Sequence, residues 1–255
     1  MTFDTRQNSL RDAFDEDGFV TLPGFVAGKA LSELQHRVTH YLEHIVPTLP
    51  PEHVFYEDRN DASSLKQLQQ LGQHDPWFAQ LLHDSEFRQA AEFFLQAPVV
   101  PRNLQYFNKP PLQGKPTPPH QDGFYFMLDP CDAVTMWLAL DVVDAENGCV
   151  RYLPGSHRRG MRTHTRTQTL GFSHGIVDYP TASDSSGESA IPAMPGDLLV
   201  HHAMTIHRAD GNTSATRSRR ALGLVYYSIH AREDTLAHAE YQRRLTEELK
   251  ASGRI

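Results

Sequence analysis

A short polar stretch, Pro119-His120-Gln121-Asp122-Gly123, carries the residue types most suited to chemistry. In an extended strand, side chains two positions apart project from one face, so His120 and Asp122 can bind the same ion. A second histidine from elsewhere in the chain would give two imidazoles and one carboxylate. That donor set suits non-haem Fe(II) and leaves coordination positions open for a cosubstrate and dioxygen. The pair alone is a weak signal, because a chain with 15 histidines contains this spacing by chance.

Three histidines compete to be the second ligand, and all lie in the apolar segment 198–207. His207 ends the segment beside a polar loop, where a side chain can line the mouth of a cavity. His201 and His202 lie in mid-strand, where packing or a hydrogen bond to a metal ligand is the commoner role. The pattern therefore favours His207 and leaves the other two open.

An arginine follows in the next apolar segment, 219–229. Arg219 shares one strand face with Ala221 and Gly223, whose small side chains leave space beside it. A planar guanidinium in such a space can bind a carboxylate through two parallel hydrogen bonds. The plainer interpretation is a solvated basic run formed by Arg219 and its neighbours Arg217 and Arg220.

Composition bounds the class of protein. The chain has 255 residues, a net charge of −7 and 39% hydrophobic residues, ordinary values for a globular protein of one large domain or two small ones. No Ser/Gly-rich or charged linker divides the chain, so we expect a single domain spanning residues 1–255. The negative charge argues against general binding to nucleic acid or to anionic membranes. The opening residues 1–6 lack a basic and apolar leader, and no apolar run is long enough to span a bilayer, so we expect the cytoplasm.

The order of elements predicts a helical front over about residues 1–98, a β-rich body over about 99–230 and a surface helix over about 232–250. In the front, the predicted helices are 7–16, 31–45, 63–72 and 76–96, and the predicted strands are 18–26 and 54–57. In the body, the candidate strands are 99–108, 120–128, 133–142, 149–153, 198–207 and 219–229.

Two sets of residues are candidates for the substrate side. The long loop 154–193 contains several basic residues that could receive an anionic group, or serve only solubility, and a mobile tip is expected at 183–187. The basic residues are Arg158, Arg159, Arg162, His164 and Arg166. Aromatic residues could wall an apolar pocket, although core packing fits them equally well. These are Tyr56, Phe124, Tyr125 and Phe126.

Taken together, the motifs resemble those of the phytanoyl-CoA dioxygenase (PhyH) family, in order, over about residues 15–230. The matching segments are His120-Gln121-Asp122, Met136–Asp141, Glu146–Val150, Leu153–His157, Pro195-Gly196-Asp197, His207 and Arg219-Arg220-Ala221. Each segment is common alone, whereas the ordered combination is specific.

The resemblance implies a mainly β fold with flanking helices, a cupin-like jelly roll or double-stranded β-helix. It implies Fe(II), 2-oxoglutarate and dioxygen, with His120, Asp122 and His207 as iron ligands. It further implies Arg219 on the distal carboxylate of 2-oxoglutarate, with Trp137 and Gln105 as neighbours of the cosubstrate. The interval after His207 is one residue longer than the usual family pattern, so Arg220 remains a rival to Arg219.

The reaction implied by the resemblance is oxidative decarboxylation of 2-oxoglutarate to succinate and carbon dioxide, coupled to hydroxylation of a C–H bond in a small molecule. The retained carboxylate at Asp122 favours hydroxylation, since related halogenases carry Gly or Ala there. Two alternatives stay open: a non-catalytic member that binds metal and 2-oxoglutarate, and a cupin-like enzyme that uses another metal. The family accepts acyl-CoA thioesters, amino acids, phosphonates and natural-product intermediates, and nothing in the sequence selects among them or indicates an oligomeric state.

Overall fold

The computed structural model describes residues 8–253, except for the side chains of residues 185 and 186. Within this range there are two antiparallel sheets of seven and four strands and two pairs of short strands. The strands are β1 (Phe19–Leu22), β2 (Val54–Tyr56), β3 (Leu65–Leu68), β4 (Val99–Lys109), β5 (Thr117–His120), β6 (Leu128–Asp129), β7 (Ala133–Ala139), β8 (Val150–Tyr152), β9 (His164–Arg166), β10 (His174–Ile176), β11 (Ser189–Ile191), β12 (Leu198–His202), β13 (His207–Ala209), β14 (Arg219–Ser228) and β15 (Arg232–Glu233). The α-helices are α1 (Asn8–Asp17), α2 (Gly28–His40), α3 (Leu71–His74), α4 (Pro76–His83), α5 (Glu86–Leu95), α6 (Gly123–Phe126), α7 (Ala182–Gly187) and α8 (Thr235–Ala251).

The larger sheet has the strand order β1-β12-β7-β14-β4-β3-β2. Strand β7 is buried along its whole length. Its residues Val134, Met136 and Leu138 join a hydrophobic core with side chains of α1, α2, α4 and α5. Because side chains alternate along a strand, Thr135 and Trp137 face the opposite side. The helices therefore cover one face of this sheet and leave the other face for the smaller sheet.

The smaller sheet has the order β11-β8-β13-β5. Val150 and Tyr152 of β8 pack with Trp137 and Leu199 of the larger sheet in a second hydrophobic core. Two antiparallel sheets that face each other across a shared core form the double-stranded β-helix. The predicted fold class, mainly β with flanking helices, is confirmed.

The predicted helix over residues 63–72 is wrong, because its middle forms strand β3. Its residues Leu65-Lys66-Gln67-Leu68 are good helix formers, but Gln67 and Leu68 pair with residues of β4. Leu68 is completely buried in the core. Pairing and burial at this position outweigh the intrinsic helix propensity.

Three other predicted elements are interrupted. The predicted helix 76–96 is two helices, since the Ser85 side chain accepts the amide hydrogen of Phe87 and begins α5. The predicted helix 31–45 ends as α-helix at His40 and continues through a π-helical turn. The predicted strand 198–207 is divided into β12 and β13, which lie in different sheets.

The long segment 154–193 has structure of its own. Strands β9 and β10 pair into a hairpin, which with the connecting residues 167–173 we call the 164–176 hairpin. The expected mobile tip at 183–187 lies in α7, where Thr181 and Asp184 form a capping box. The C-terminal helix predicted over 232–250 is α8, and none of its residues is fully buried. Within residues 8–253, no helix combines the length and apolar character that a membrane span requires.

Candidate metal centre and its cavity

His120, Asp122 and His207 converge, with one possible ligand atom from each lying within 4.8 Å of the others. His120 and His207 are register partners on β5 and β13, and their ring centroids are 4.2 Å apart. The Asp122 Oδ1 atom is 3.4 Å from His120 Nε2 and 3.7 Å from His207 Nε2. Three donor atoms at this spacing can hold one metal ion.

Asp122 reaches this position by a turn, so the predicted strand over 120–128 is wrong between its first residue, His120, and its last, Leu128. Strand β5 ends at His120, and Asp122 has helical backbone angles of φ −58° and ψ −33° before α6. The turn is held by Gln121, whose side-chain amide donates hydrogen bonds to the carbonyls of Met204 (2.8 Å) and Gly160 (3.0 Å). The turn, and not strand alternation, is thus what brings Asp122 to His120.

Both histidines are oriented by their own backbone. His120 Nδ1 lies 2.8 Å from the Pro118 carbonyl oxygen, and His207 Nδ1 lies 3.0 Å from that of Thr205. A carbonyl only accepts, so Nδ1–H donates in each ring and Nε2 faces Asp122 as a free donor atom for a metal. Burial, together with the neighbouring His120 and His201, holds the pKa of His207 well below its usual value. His207 is therefore neutral near pH 7, as a metal ligand must be.

Asp122 is fixed from behind through its other oxygen, Oδ2. The Thr135 hydroxyl donates to this atom over 2.6 Å, and His201 Nε2 lies 3.1 Å from it. His201 Nδ1 in turn lies 2.9 Å from the Tyr152 hydroxyl. Burial raises the pKa of Asp122, but the neighbouring His207 and the hydrogen bond from His201 outweigh burial and hold that pKa well below its usual value. The carboxylate is thus ionised at neutral pH.

Strand parity separates the three competing histidines. His201 and Leu199 face the inside of the two sheets, whereas His202 faces the opposite side of β12 and accepts the Met204 amide hydrogen at Nδ1. His207 lies on another strand, next to His120. His207 is therefore the one that joins the triad, and His201 contacts its carboxylate.

Arg219 is a buried cation without a counter-ion. Only 4% of it is exposed, and its Nε atom has no hydrogen-bond partner. Among residues 8–253, no carboxylate lies within ion-pair distance of its guanidinium, which instead lies 5.3 Å from the centre of the Trp137 ring. Burial lowers the pKa of Arg219 to about 10, so the side chain stays charged at neutral pH. Arg220 points the other way and binds Asp141 through two nitrogens.

A cavity of about 710 Å³ connects the triad with Arg219, Trp137 and Gln105. The Gln105 side-chain oxygen accepts a hydrogen bond of 2.8 Å from Gln67. Lys66 and Lys109 also line this part of the cavity, and Lys109 is the register partner of Arg219. The end of the cavity beyond the triad is therefore lined by basic side chains.

The sequence comparisons decide the family. A family model described as phytanoyl-CoA dioxygenase (PhyH) matches residues 14–221, which is most of the chain. This chain belongs to the phytanoyl-CoA dioxygenase family. Fe(II), 2-oxoglutarate and dioxygen are the cofactors of that family.

Similar proteins cover almost the whole PhyH-family chain. A Caenorhabditis elegans homolog of phytanoyl-CoA dioxygenase domain-containing protein 1 is 27% identical over 270 residues, which covers 88% of this chain and 90% of the homolog. The carbocyclase SnoK of nogalamycin biosynthesis is 25% identical with a TM-score of 0.71, covering 91% of this chain and 89% of SnoK. EctD from S. alaskensis is 20% identical with a TM-score of 0.75, covering 92% of this chain and 80% of EctD. These solved structures share the jelly-roll fold.

In this PhyH-family protein, the basic residues of segment 154–193 are largely engaged within the chain. Arg162 forms ion pairs with Asp178 (2.8 Å) and Asp184 (2.9 Å). His164 Nε2 accepts the Gln121 amide hydrogen, so it supports the turn before Asp122. Of the five basic residues named from the sequence, only Arg166 lines the cavity, and it is paired with Glu248 of α8. Binding of an anionic group by this segment stays a prediction.

The four aromatic candidates divide in two. Tyr125 and Phe126 line the cavity. Phe124 instead stacks on His164, with ring centroids 4.5 Å apart, and Tyr56 lines a separate small cavity of about 150 Å³. The aromatic wall of the PhyH-family cavity therefore draws on only part of the predicted set.

Several side chains of the site do not emerge from sequence reasoning. Lys66 falls within the wrongly predicted helix 63–72, and the polar α8, predicted on the surface, lines the cavity with Tyr241 among others. Thr135 and Tyr152 are not among the sequence candidates, although each lies at the strand parity of a site residue, Trp137 or His207. The signal that could find them is a polar group at an inward position of an otherwise apolar strand.

Proposed function

We propose that this protein uses Fe(II), 2-oxoglutarate and dioxygen to hydroxylate an unactivated C–H bond of a small molecule, with release of succinate and carbon dioxide. One observation carries the proposal: a three-residue metal site and a buried, unpaired arginine line the same cavity. Each feature alone is compatible with several functions. Together they match the two requirements of this reaction, a site for iron and a site for 2-oxoglutarate.

The residues fit iron by their chemistry. His120 and His207 would supply neutral imidazole nitrogens and Asp122 an ionised oxygen, the set that suits non-haem Fe(II). Three protein ligands leave coordination positions open, and when bound the metal would supply the activation of dioxygen. The contribution of the chain is to hold these three atoms in place and to keep the substrate carbon near them.

The residues also fit 2-oxoglutarate. Arg219 would bind the distal carboxylate through its planar guanidinium, and Trp137 and Gln105 would lie beside the cosubstrate. Lys66 forms an ion pair of 3.0 Å with Glu57, which Lys115 shares. Burial, with repulsion from Arg219 and Lys66, holds the pKa of Lys109 well below its usual value. A dianionic ligand would therefore relieve an excess of positive charge at this end of the cavity.

Solved structures of similar fold support this assignment. EctD has been crystallised with 2-oxoglutarate and 5-hydroxyectoine, and EvdO2 with 2-oxoglutarate. SnoN is described as an epimerase that depends on α-ketoglutarate, and SnoK as a carbocyclase. The same fold thus serves more than one outcome, so hydroxylation has to be tested by following the oxygen atom into product.

The outer half of the cavity suggests the kind of substrate. Its wall is aromatic, with Tyr125, Phe126, Phe172, Tyr227 and Tyr241, and uncharged amides face it from β4 and from residues 69–70 after β3. The cations at the mouth already have acidic partners, Arg102 with Glu233 and Arg166 with Glu248. We therefore expect an uncharged substrate with apolar or ring-containing parts, bound partly against α8.

The test is succinate formation from 2-oxoglutarate by protein loaded anaerobically with Fe(II) and then exposed to air. We expect slow formation without substrate, abolished in Asp122→Ala. Binding of 2-oxoglutarate is followed separately by its charge-transfer absorbance with Fe(II). Binding without any succinate, in the presence of candidate substrates, would favour the non-catalytic alternative. Activity with zinc but not with iron would favour the other-metal alternative, and absence of both succinate and the charge-transfer band would rule out the proposal.

A further inference from the structure

Three buried polar side chains lie behind Asp122, and the proposed function gives them no role. Tyr152 is completely buried, His201 is 2% exposed and Thr135 is 8% exposed. The links are Tyr152 hydroxyl to His201 Nδ1 (2.9 Å), His201 Nε2 to Asp122 Oδ2 (3.1 Å) and Thr135 hydroxyl to Asp122 Oδ2 (2.6 Å). The chain runs from the smaller sheet through β12 to the metal site.

The direction of these hydrogen bonds follows from the acceptor at the end. A carboxylate only accepts, so His201 Nε2 carries the hydrogen that points at Asp122. In a neutral imidazole the other nitrogen, Nδ1, is then an acceptor, and the Tyr152 hydroxyl donates to it. Tyr152 therefore fixes the tautomer of His201 that Asp122 needs.

The two oxygens of Asp122 are in different surroundings. Oδ2 receives hydrogen bonds from His201 and Thr135, whereas Oδ1 faces His120 and His207 at 3.4 and 3.7 Å. A carboxylate oxygen with two good donors is poorly available to a metal. If both oxygens bound the ion, one further coordination position would be lost to the cosubstrate or dioxygen.

We propose that His201, held by Tyr152, is a positioning residue that keeps Asp122 a one-oxygen ligand through Oδ1. This inference rests on the proposed function, because it concerns the same metal. His201 would act through Asp122 and would not bind the ion itself. The plain alternative is a core histidine that happens to be satisfied by its neighbours; its removal would lower stability and leave the bound metal unchanged.

The experiment compares three variants with Co(II), an air-stable probe whose visible absorption reports its ligands. Removal of an outer partner of a metal ligand typically costs about 10–100-fold in metal affinity, so we expect that weakening and an altered Co(II) spectrum in His201→Phe. His201→Gln keeps an N–H at the position of Nε2, and we expect affinity within about threefold of wild type. His202→Asn, on the opposite face of β12, is the matched control with unchanged affinity and spectrum.

Tyr152→Phe tests whether Tyr152 acts on Asp122 through His201. It should weaken Co(II) binding less than His201→Phe, and the double variant should bind like His201→Phe alone, because Tyr152 acts only through His201. Additive effects in the double variant would show that Tyr152 does not act through His201. If His201→Phe does not give a cooperative melting transition, the comparison of Tyr152→Phe with His201→Gln decides, and wild-type affinity and spectrum in Tyr152→Phe count against the proposal.

The outcomes separate this inference from the function on which it rests. Wild-type protein that forms succinate, alongside a folded His201→Phe with unchanged Co(II) affinity and spectrum, would overturn the role of His201 alone. Wild-type protein that binds neither Co(II) nor Fe(II) would overturn the metal centre and the inference together. Weakened and spectrally altered binding in His201→Phe, restored in His201→Gln, would support it.

Discussion

His120 and His207 stand directly opposite each other on neighbouring antiparallel strands, with ring centroids 4.2 Å apart. Directly opposed residues of such strands share one face of the sheet, so the pairing of β5 with β13 alone brings the two imidazoles together. Asp122 joins them from a turn that Gln121 holds. The candidate metal centre therefore depends on one strand pairing and one turn, and its residues can be tested separately.

Removal of the carboxylate should strongly weaken metal binding at the centre. In Asp122→Ala we expect Co(II) affinity to fall by more than about 100-fold, beyond the cost of losing an outer partner, because only two ligands remain. Isothermal titration of the metal measures the change. Asp129→Ala, at an exposed aspartate of β6, serves as the control and should bind as wild type. Tight binding in Asp122→Ala would show that the ion lies elsewhere.

Substitutions of the adjacent Arg219 and Arg220 should have very different effects on the binding of 2-oxoglutarate. Truncating one partner of a buried charge pair costs about 2–5 kcal/mol, so Arg219→Met should raise the dissociation constant for 2-oxoglutarate by about 30-fold or more. Arg220→Met loses only its half-exposed ion pair with Asp141 and should stay within about threefold of wild type. The charge-transfer absorbance of the Fe(II) protein, titrated with 2-oxoglutarate, gives both values. Equal effects would remove Arg219 from the cosubstrate site.

Acid should destabilise the fold through His202. Burial and the neighbouring His157 and His201 lower the pKa of His202 from 6.5 to about 4. Between these values the unfolded chain binds a proton at this residue that the native state does not, so the free energy of unfolding falls as pH drops from 6.5 towards 4. The contribution is fully present above pH 6.5 and amounts to about 3 kcal/mol at most.

Urea unfolding at about pH 7 and about pH 5 measures this dependence. His202→Asn keeps an acceptor for the Met204 amide and removes the titrating group. The variant should lose less stability than wild type between the two pH values. An identical loss in both proteins would place the acid sensitivity in other groups, such as His157.

Strand β3 should contribute strongly to stability although its sequence favours a helix. Leu68 is completely buried in the main core, so Leu68→Ala should lower the free energy of unfolding by about 2–5 kcal/mol. Leu236 on α8 is 84% exposed, and Leu236→Ala should change it by no more than about 0.5 kcal/mol. Urea denaturation compares the two. A small effect at Leu68 would contradict the burial of this side chain in the main core.

Helix α8 should be the least protected wall of the cavity. It has no fully buried residue, and its links to the 164–176 hairpin include Tyr241 with Ser173 and Glu248 with Arg166. Such an element opens at low free-energy cost. We expect its amides to exchange hydrogen far faster than those of β7, and faster still in Tyr241→Phe combined with Glu248→Gln. Protection of α8 equal to that of β7 would show that further contacts hold it.

The family of this chain can be predicted from its amino-acid sequence alone. The succession of segments around His120, His207 and Arg219 identifies the family, because ordered combinations are specific where single motifs are not. Apolar periodicity also locates helices α1 and α2 and strands β4, β7 and β14 to within a few residues. These features are local, or are fixed by order along the chain, so they can be read without contacts.

Which of the candidate residues come together in the site is decided only by the tertiary structure. Segment 198–207 contains three histidines at similar positions in one apolar run, and its division between two sheets sets His207 apart from His201 and His202. The pairing of Leu68 with β4 makes a strand of a helix-favouring sequence and brings Lys66 to the cavity. Likewise α8, polar along its length and predicted on the surface, forms part of the cavity wall. Strand pairing and burial join residues tens to hundreds of positions apart, and local propensity carries no information about those contacts.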